Sequence, residues 1–192
     1  MEKLLFATGN KNKVIEIKAL LDGLPYEIVS MAEIGFTEDI PETGKDLKEN
    51  AIIKAQYLFD KTKKNIIAED TGLEVSALNG APGVHTARYA GDAKDSTANM
   101  NLLLENLIEQ EDRSAQFHTV IALIINGELY TFDGISKGEI AKNLSGSKGF
   151  GYDPIFIPEG FSTTFAEMSL AEKSKISHRG RALSKMIEFL KK

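Results

Sequence analysis

The chain contains no cysteine and no tryptophan, and only three histidines in 192 residues. Without thiols there is no disulfide framework, no thiolate metal site and no Cys/His nucleophile, and a reducing cytoplasm is the compatible compartment. Long hydrophobic runs are also missing. The opening Met1-Glu2-Lys3-Leu4-Leu5-Phe6-Ala7 is too short in apolar residues for a signal peptide or a membrane span, so neither export nor a membrane partner is expected. Basic charge is in deficit, with 23 Lys and Arg against 28 Asp and Glu and a net charge of −5. A nucleic-acid surface would show a basic stripe instead. His85, His118 and His178 lack zinc-site spacing, and no G-x-x-x-x-G-K-[ST] loop occurs. The remainder is ordinary for a globular protein, 42% hydrophobic and 27% charged. The length suits one domain over residues 1–192.

Hydrophobic periodicity gives an alternating α/β order. Leu4 to Ala7 predicts a strand, Thr8-Gly9-Asn10 a turn, and Val14, Ile17, Leu20 and Leu21 the buried face of a helix. Glu27 to Met31 is a second strand, and Ile34 to Gly44 an acidic loop. Leu47, Ala51, Ala55, Leu58 and Phe59 recur at helical spacing before the apolar run Asn65-Ile66-Ile67-Ala68. Gly80-Ala81-Pro82-Gly83 reads as loop, and Met100, Leu103, Leu104 and Leu107 as helix. Asn126-Gly127 predicts a two-residue hairpin between Phe117–Ile125 and Glu128–Phe132. Pro154 to Ile157 is a strand candidate, Ser169 and Glu172 form a capping box, and Leu183, Met186, Ile187 and Leu190 mark a last helix. The expected architecture is a mixed central sheet flanked by helices, in two lobes around a substrate cleft.

Chemistry concentrates where this order breaks. Glu69-Asp70-Thr71-Gly72-Leu73 sets two acids at a strand end, the place where open α/β sheets receive ligands. Successive side chains leave a strand on opposite faces, so both carboxylates meet one ion only if Thr71-Gly72 turns the chain. Hard oxygen pairs of this kind suit Mg²⁺, although an acidic surface turn has the same composition. Thr8-Gly9-Asn10-Lys11-Asn12-Lys13 joins a strand to a helix and could offer N–H groups and lysines to a phosphate, or be a plain capped helix. Lys54 falls near the apolar face of its helix, so it either snorkels or meets an anion. Phe150, between Gly149 and Gly151, reads as a plate for a planar ring or as a core aromatic in a turn. Lys173, Ser177, His178 and Arg179 read as a polar ligand-reading cluster or as a charged helix surface.

In this order the motifs resemble the inosine triphosphate pyrophosphatase family, hydrolases of non-standard purine nucleoside triphosphates. The resemblance runs through Thr8-Gly9-Asn10 with Lys13, Glu42-Thr43-Gly44, Glu49-Asn50-Ala51 with Lys54, and Glu69-Asp70-Thr71-Gly72-Leu73. It continues in Gly80-Ala81-Pro82-Gly83 with Ala87-Arg88-Tyr89, Gly149-Phe150-Gly151-Tyr152-Asp153-Pro154, and Lys173 with Ile176-Ser177-His178-Arg179. It implies a homodimer acting on ITP, dITP and XTP with Mg²⁺. It also implies roles: Thr8, Gly9, Asn10, Lys11, Asn12, Lys13, Lys54 and Thr71 on the triphosphate side, Glu42, Glu69 and Asp70 on the metal, and Asp70 as general base. Phe150, Gly151, Tyr152, Asp153, Lys173, His178 and Arg179 would form the base pocket. Glu69 replaces the Asp of many bacterial relatives, and His85 stands where relatives often carry Tyr. A pyrophosphatase for other modified nucleotides and a non-catalytic nucleotide-binding regulator are the alternative functions.

Overall fold

The computed structural model describes residues 1–191. Its contacts gather into two compact units, one comprising Met1–Asp70, Thr119–Asp133 and the chain from Ala182 on, the other Thr71–His118 and Gly134–Arg181. In the first, β1 (Glu2–Phe6) pairs in parallel with β2 (Tyr26–Ser30) and with β3 (Ile66–Val75). Both faces of this sheet are covered, which is why its strands read as unbroken apolar runs. Ile67, Ile121 and Leu123 pack with Ile17 of α1 (Lys11–Leu20) and Leu183 and Met186 of α5 (His178–Leu190). Ile66, Ala68, Val120, Ala122 and Ile124 pack instead with Ala51, Ala55 and Leu58 of α2 (Leu47–Thr62). Odd and even residues of each strand thus feed different cores.

The predicted hairpin forms between β5 (Ser114–Ile125) and β6 (Glu128–Ile140). Asn126 and Gly127 take φ of 53° and 82°, the left-handed pair that a tight hairpin of this twist needs. β6 outruns the expected Glu128–Phe132: of its later buried positions, Gly134, Ser136 and Ile140, only the last carries an apolar signal.

In the second unit, β4 (Pro82–Gly83) pairs antiparallel with β3, Leu73 opposite Gly83. The segment expected as pure loop therefore contributes a short edge. β7 (Phe156–Pro158) pairs antiparallel with β6, displaced from the predicted Pro154–Ile157 by a 3₁₀ turn at Asp153–Ile155. α3 (Ser96–Asn106) is capped by Asp95, and α4 (Leu170–Ile176) by the predicted box, Ser169 with Glu172. Leu73, Val75, Leu103, Phe117, Phe156 and Phe165 lead the core of this unit. The hydrogen-bonded strand order is β2-β1-β3-β5-β6-β7, with β4 joined to β3. This is the mixed α/β sheet with flanking helices that the sequence predicts. Among the described residues no helix is long and apolar enough to cross a membrane.

One expectation fails in a way that matters for the chemistry. The chain does not turn at Thr71-Gly72; β3 continues straight to Val75. The strand lies beside β5 and is joined by β4 from Leu73 on, and this sheet context overrides the turn preference of a Thr-Gly pair. Glu69 and Asp70 consequently leave β3 on opposite faces.

Candidate active site

The two acids of β3 meet different helices, as that alternation requires. Glu69, whose side chain is fully buried, pairs with the Lys13 ammonium of α1 at 2.9 Å. Asp70 faces α2: its Oδ1 accepts from Lys54 Nζ at 2.6 Å and its Oδ2 accepts from Asn50 Nδ2 at 3.2 Å. Lys54 also donates to Glu42 Oε1 at 3.1 Å. One ammonium therefore joins the acidic loop to the strand end.

Helix geometry explains how a lysine and an asparagine come to lie there. The buried stripe of α2 is Leu47, Asn50, Ala51, Lys54, Ala55 and Leu58, spaced at three and four residues. Asn50 and Lys54 occupy the end of the stripe nearest the Asp46 cap, and their polar ends reach Asp70. Lys54 and Asp70 are 6% and 8% exposed, so neither charge is left to water. Burying either alone would be costly, and pairing removes that cost. Asn50 uses both ends of its amide, because its Oδ1 accepts from Gly44 N at 2.8 Å. A Cβ on Gly44 would lie 2.7 Å from Glu49 Cβ and 2.8 Å from Asn50 N, so only glycine fits against the helix start.

At the start of α1, Asn10 caps the helix through Oδ1, accepting from the N–H groups of Asn12 and Lys13, while Thr8 Oγ1 accepts from Asn10 N. Gly9, Lys11 and Asn12 are exposed. Helix, cap and exposed lysine stand where the strand-turn-helix reading puts them.

The second unit holds the other group of predicted residues. Lys173 of α4 donates to Asp153 Oδ2 at 2.6 Å, and the Phe150 N–H donates to the same oxygen at 2.9 Å. Gly149 takes φ +73°, and a Cβ there would stand 2.0 Å from that oxygen. The glycine makes room for the carboxylate. The Phe150 ring has the Lys173 ammonium 5.2 Å and the Arg179 guanidinium 5.5 Å from its centroid, both within cation–π range. Lys173, His178 and Arg179 are all buried, so the reading of this cluster as a charged helix surface does not hold. His178 stacks on Phe117 at 4.5 Å. A break at Ser177 between α4 and α5 places His178 and Arg179 in the first turn of α5 and Lys173 on α4.

Three predicted residues are placed differently. Tyr152 packs in the core of the second unit and its hydroxyl donates to Thr86 O at 2.9 Å. Burial pushes this phenol well above its usual pKa, so it is a neutral anchor. Gly151 takes φ +63° with open space where a Cβ would be, and Thr71 is half-buried inside β3. His85, which carries no assigned role, is exposed. Asn50 is the polar residue that the motif reading left without a role. Its signal was present, since position 50 falls on the 47-51-54-55-58 stripe and a buried amide there needs polar partners.

Among the described residues no three carboxylates or imidazoles are gathered to hold an ion unaided. Glu42 and Asp70 nevertheless converge on a single cation, Lys54 Nζ, and supply hard oxygens. That donor chemistry fits Mg²⁺, which ordinarily takes one or two carboxylates and completes its shell with water and substrate phosphate. Glu69 lies on the opposite face of β3 with Lys13.

The sequence profile of the Ham1 family matches residues 4–189. The dITP/XTP pyrophosphatase of Christiangramia forsetii is 53% identical over 190 residues, covering 99% of this chain and 100% of that protein. That of Flavobacterium psychrophilum is 51% identical over 189 residues, covering 98% and 99%. The solved structure of a HAM1 protein from Coxiella burnetii superposes with a TM-score of 0.90 at 40% identity, covering 100% of this chain and 99% of that one.

Proposed function

Because the chain belongs to the Ham1 family, we propose that it is a dITP/XTP pyrophosphatase that hydrolyses non-standard purine nucleoside triphosphates, ITP included, to the monophosphate and pyrophosphate. The observation that carries this reading is the network of buried Asp70, Lys54 and Asn50 with the more exposed Glu42 at a central strand. A triphosphate brings about four negative charges, and an acidic protein accepts them only where cations are gathered locally. Lys13 and Lys54 supply two such cations beside a carboxylate able to take a proton.

In this mechanism Glu42 and Asp70 would hold Mg²⁺. The ion, when bound, polarises phosphoryl oxygens and offsets charge on the leaving pyrophosphate. Asp70 also orients a water and receives its proton as the oxygen attacks the α-phosphorus. Asn50 keeps the Asp70 carboxylate aimed, through the oxygen that Lys54 does not touch. Lys13 and Lys54 bind the phosphates, and Glu69 fixes Lys13 in place. Phe150 stacks on the purine, while Arg179 and Lys173 present donors to its edge. Thr8 to Asn12 border the phosphates. The acting form is a cytoplasmic homodimer in which both units make up one catalytic domain.

Support for hydrolysis over mere nucleotide binding comes from the relatives' names and from Asp70, a carboxylate held at the strand end by two donors. The expected result on a panel of dITP, XTP and ITP is turnover with Mg²⁺ and loss of at least 100-fold in excess chelator, restored by added Mg²⁺. Undiminished turnover in chelator would remove the metal from the mechanism. No hydrolysis of any of the three under saturating Mg²⁺ would leave only a nucleotide-binding role.

A further inference from the structure

The oxygens suited to a metal are already held by a lysine, and that arrangement has a consequence for how metal and nucleotide bind. Lys54 Nζ lies 2.6 Å from Asp70 Oδ1 and 3.1 Å from Glu42 Oε1, so it stands where the two carboxylates converge. Its side chain is 7% exposed, so its charge is balanced chiefly by the buried Asp70 and the more exposed Glu42. A divalent cation taking the same oxygens would be set against a buried ammonium, and like charges in a poorly solvated site repel strongly. The ammonium gives up its carboxylates only when another anion is there to receive it.

We propose that Lys54 is a resident counterion that hands Glu42 and Asp70 to the metal only when nucleotide phosphate arrives to take the ammonium. The proposal rests on the function proposed above and adds a binding rule to it: the free protein holds divalent metal weakly, and nucleotide switches that affinity on. The exchange keeps charge balanced throughout, carboxylate with ammonium before, carboxylate with metal and ammonium with phosphate after. Asn50 makes it workable. Its Nδ2 holds Asp70 Oδ2 and its Oδ1 holds the Gly44 N–H, so the carboxylate and the acidic loop stay aimed after Lys54 lets go. By linkage, whatever factor nucleotide adds to metal affinity, metal must add to nucleotide affinity.

The test is Mn²⁺ binding, read by the electron paramagnetic resonance signal of the free ion, in wild type and in Lys54→Met. It is run with and without an α,β-imido analogue of ITP held fully bound by excess protein. Wild type alone should bind Mn²⁺ at least about 10-fold more weakly than wild type with the analogue, the ordinary size of a coupling between sites. Lys54→Met alone should bind Mn²⁺ about 10-fold more tightly than wild type alone, because its carboxylates have lost their ammonium. Its melting temperature should also rise more on adding Mn²⁺ than that of wild type. If Lys54→Met does not fold, Lys54→Gln takes its place in the same measurement, because the analogue's own phosphates bind Mn²⁺ and the variant without analogue isolates the effect of the ammonium. Wild type binding Mn²⁺ as tightly without the analogue as with it overturns the proposal and leaves the proposed function standing. A folded Lys54→Met that binds Mn²⁺ no better than wild type also overturns it. Absence of Mn²⁺ binding even with the analogue overturns both.

Discussion

Asp70→Asn is expected to lose turnover by about 100-fold or more while keeping the native fold, the range for removing a general base. The substitution preserves size, and the site shows where its cost falls. Asp70 accepts from Lys54 on one oxygen and from Asn50 on the other. An amide in its place can accept on one side only, so its own NH₂ faces a donor. That conflict is worth about 1–3 kcal/mol of stability, enough to lower the melting temperature and too little to unfold a domain of this size. The kinetic loss should be in kcat, because Lys13, Lys54 and Phe150 still hold the nucleotide. Circular dichroism and melting establish the fold, and steady-state rates on ITP give the loss. A folded variant with near wild-type kcat would mean that another group takes the proton.

Preference for ITP and XTP over GTP and ATP is the second large effect, and the second unit supplies its physical basis. Arg179 and Lys173 are 2% and 4% exposed; the Arg179 guanidinium flanks the Phe150 ring and Lys173 donates to Asp153. Hypoxanthine and xanthine carry a 6-keto acceptor for such donors, whereas adenine places an amino donor there. Guanine keeps the keto group but adds a 2-amino donor where xanthine has an acceptor and hypoxanthine only hydrogen. Each unmatched buried polar group costs about 1–3 kcal/mol, and sites that read polar edges reach roughly 10⁴-fold selection in favourable cases. Stacking on Phe150 is open to any purine and contributes affinity more than choice. The kcat/KM ratio of ITP to GTP should therefore be large in wild type and fall by at least 10-fold in folded Arg179→Ala. Equal wild-type rates on ITP and GTP would refute the base-pocket assignment. A large ratio unchanged by Arg179→Ala would place the discrimination elsewhere.

Much of the fold was legible because it depends on local periodicity and turn chemistry. The stripe of α2, the Asn126-Gly127 hairpin and the Ser169-Glu172 cap are each decided within a few residues, and each forms as read. What failed depends on partners distant in sequence. Thr71-Gly72 has turn composition, yet β3 runs through it as strand, between its pairing with β1 at Ile66–Ile67 and with β4 at Leu73–Glu74. Pro82–Gly83 joins a ladder only because β3 lies alongside. The extension of β6 to Ile140 leaves no hydrophobic trace at Ser136.

For the site, sequence order identified which residues carry charge but not which charge meets which. Alternation along β3 assigns Glu69 to Lys13 and Asp70 to Lys54, a division hidden by the expectation of a turn. Asn50 belongs to a sequence motif but gains a role only from its position on an apolar stripe facing Asp70. Gly149 could be read as a spacer, while its necessity lies in the Asp153 carboxylate that fills the space of a Cβ.

If Asp70, Glu42 and the paired lysines direct water to the α-phosphorus of a non-standard purine triphosphate, the water oxygen ends on the monophosphate. Phosphorus NMR of the products from ITP in ¹⁸O-labelled water should show IMP and pyrophosphate as first products, with the label on IMP; IDP and orthophosphate, or label on pyrophosphate, would refute this chemistry.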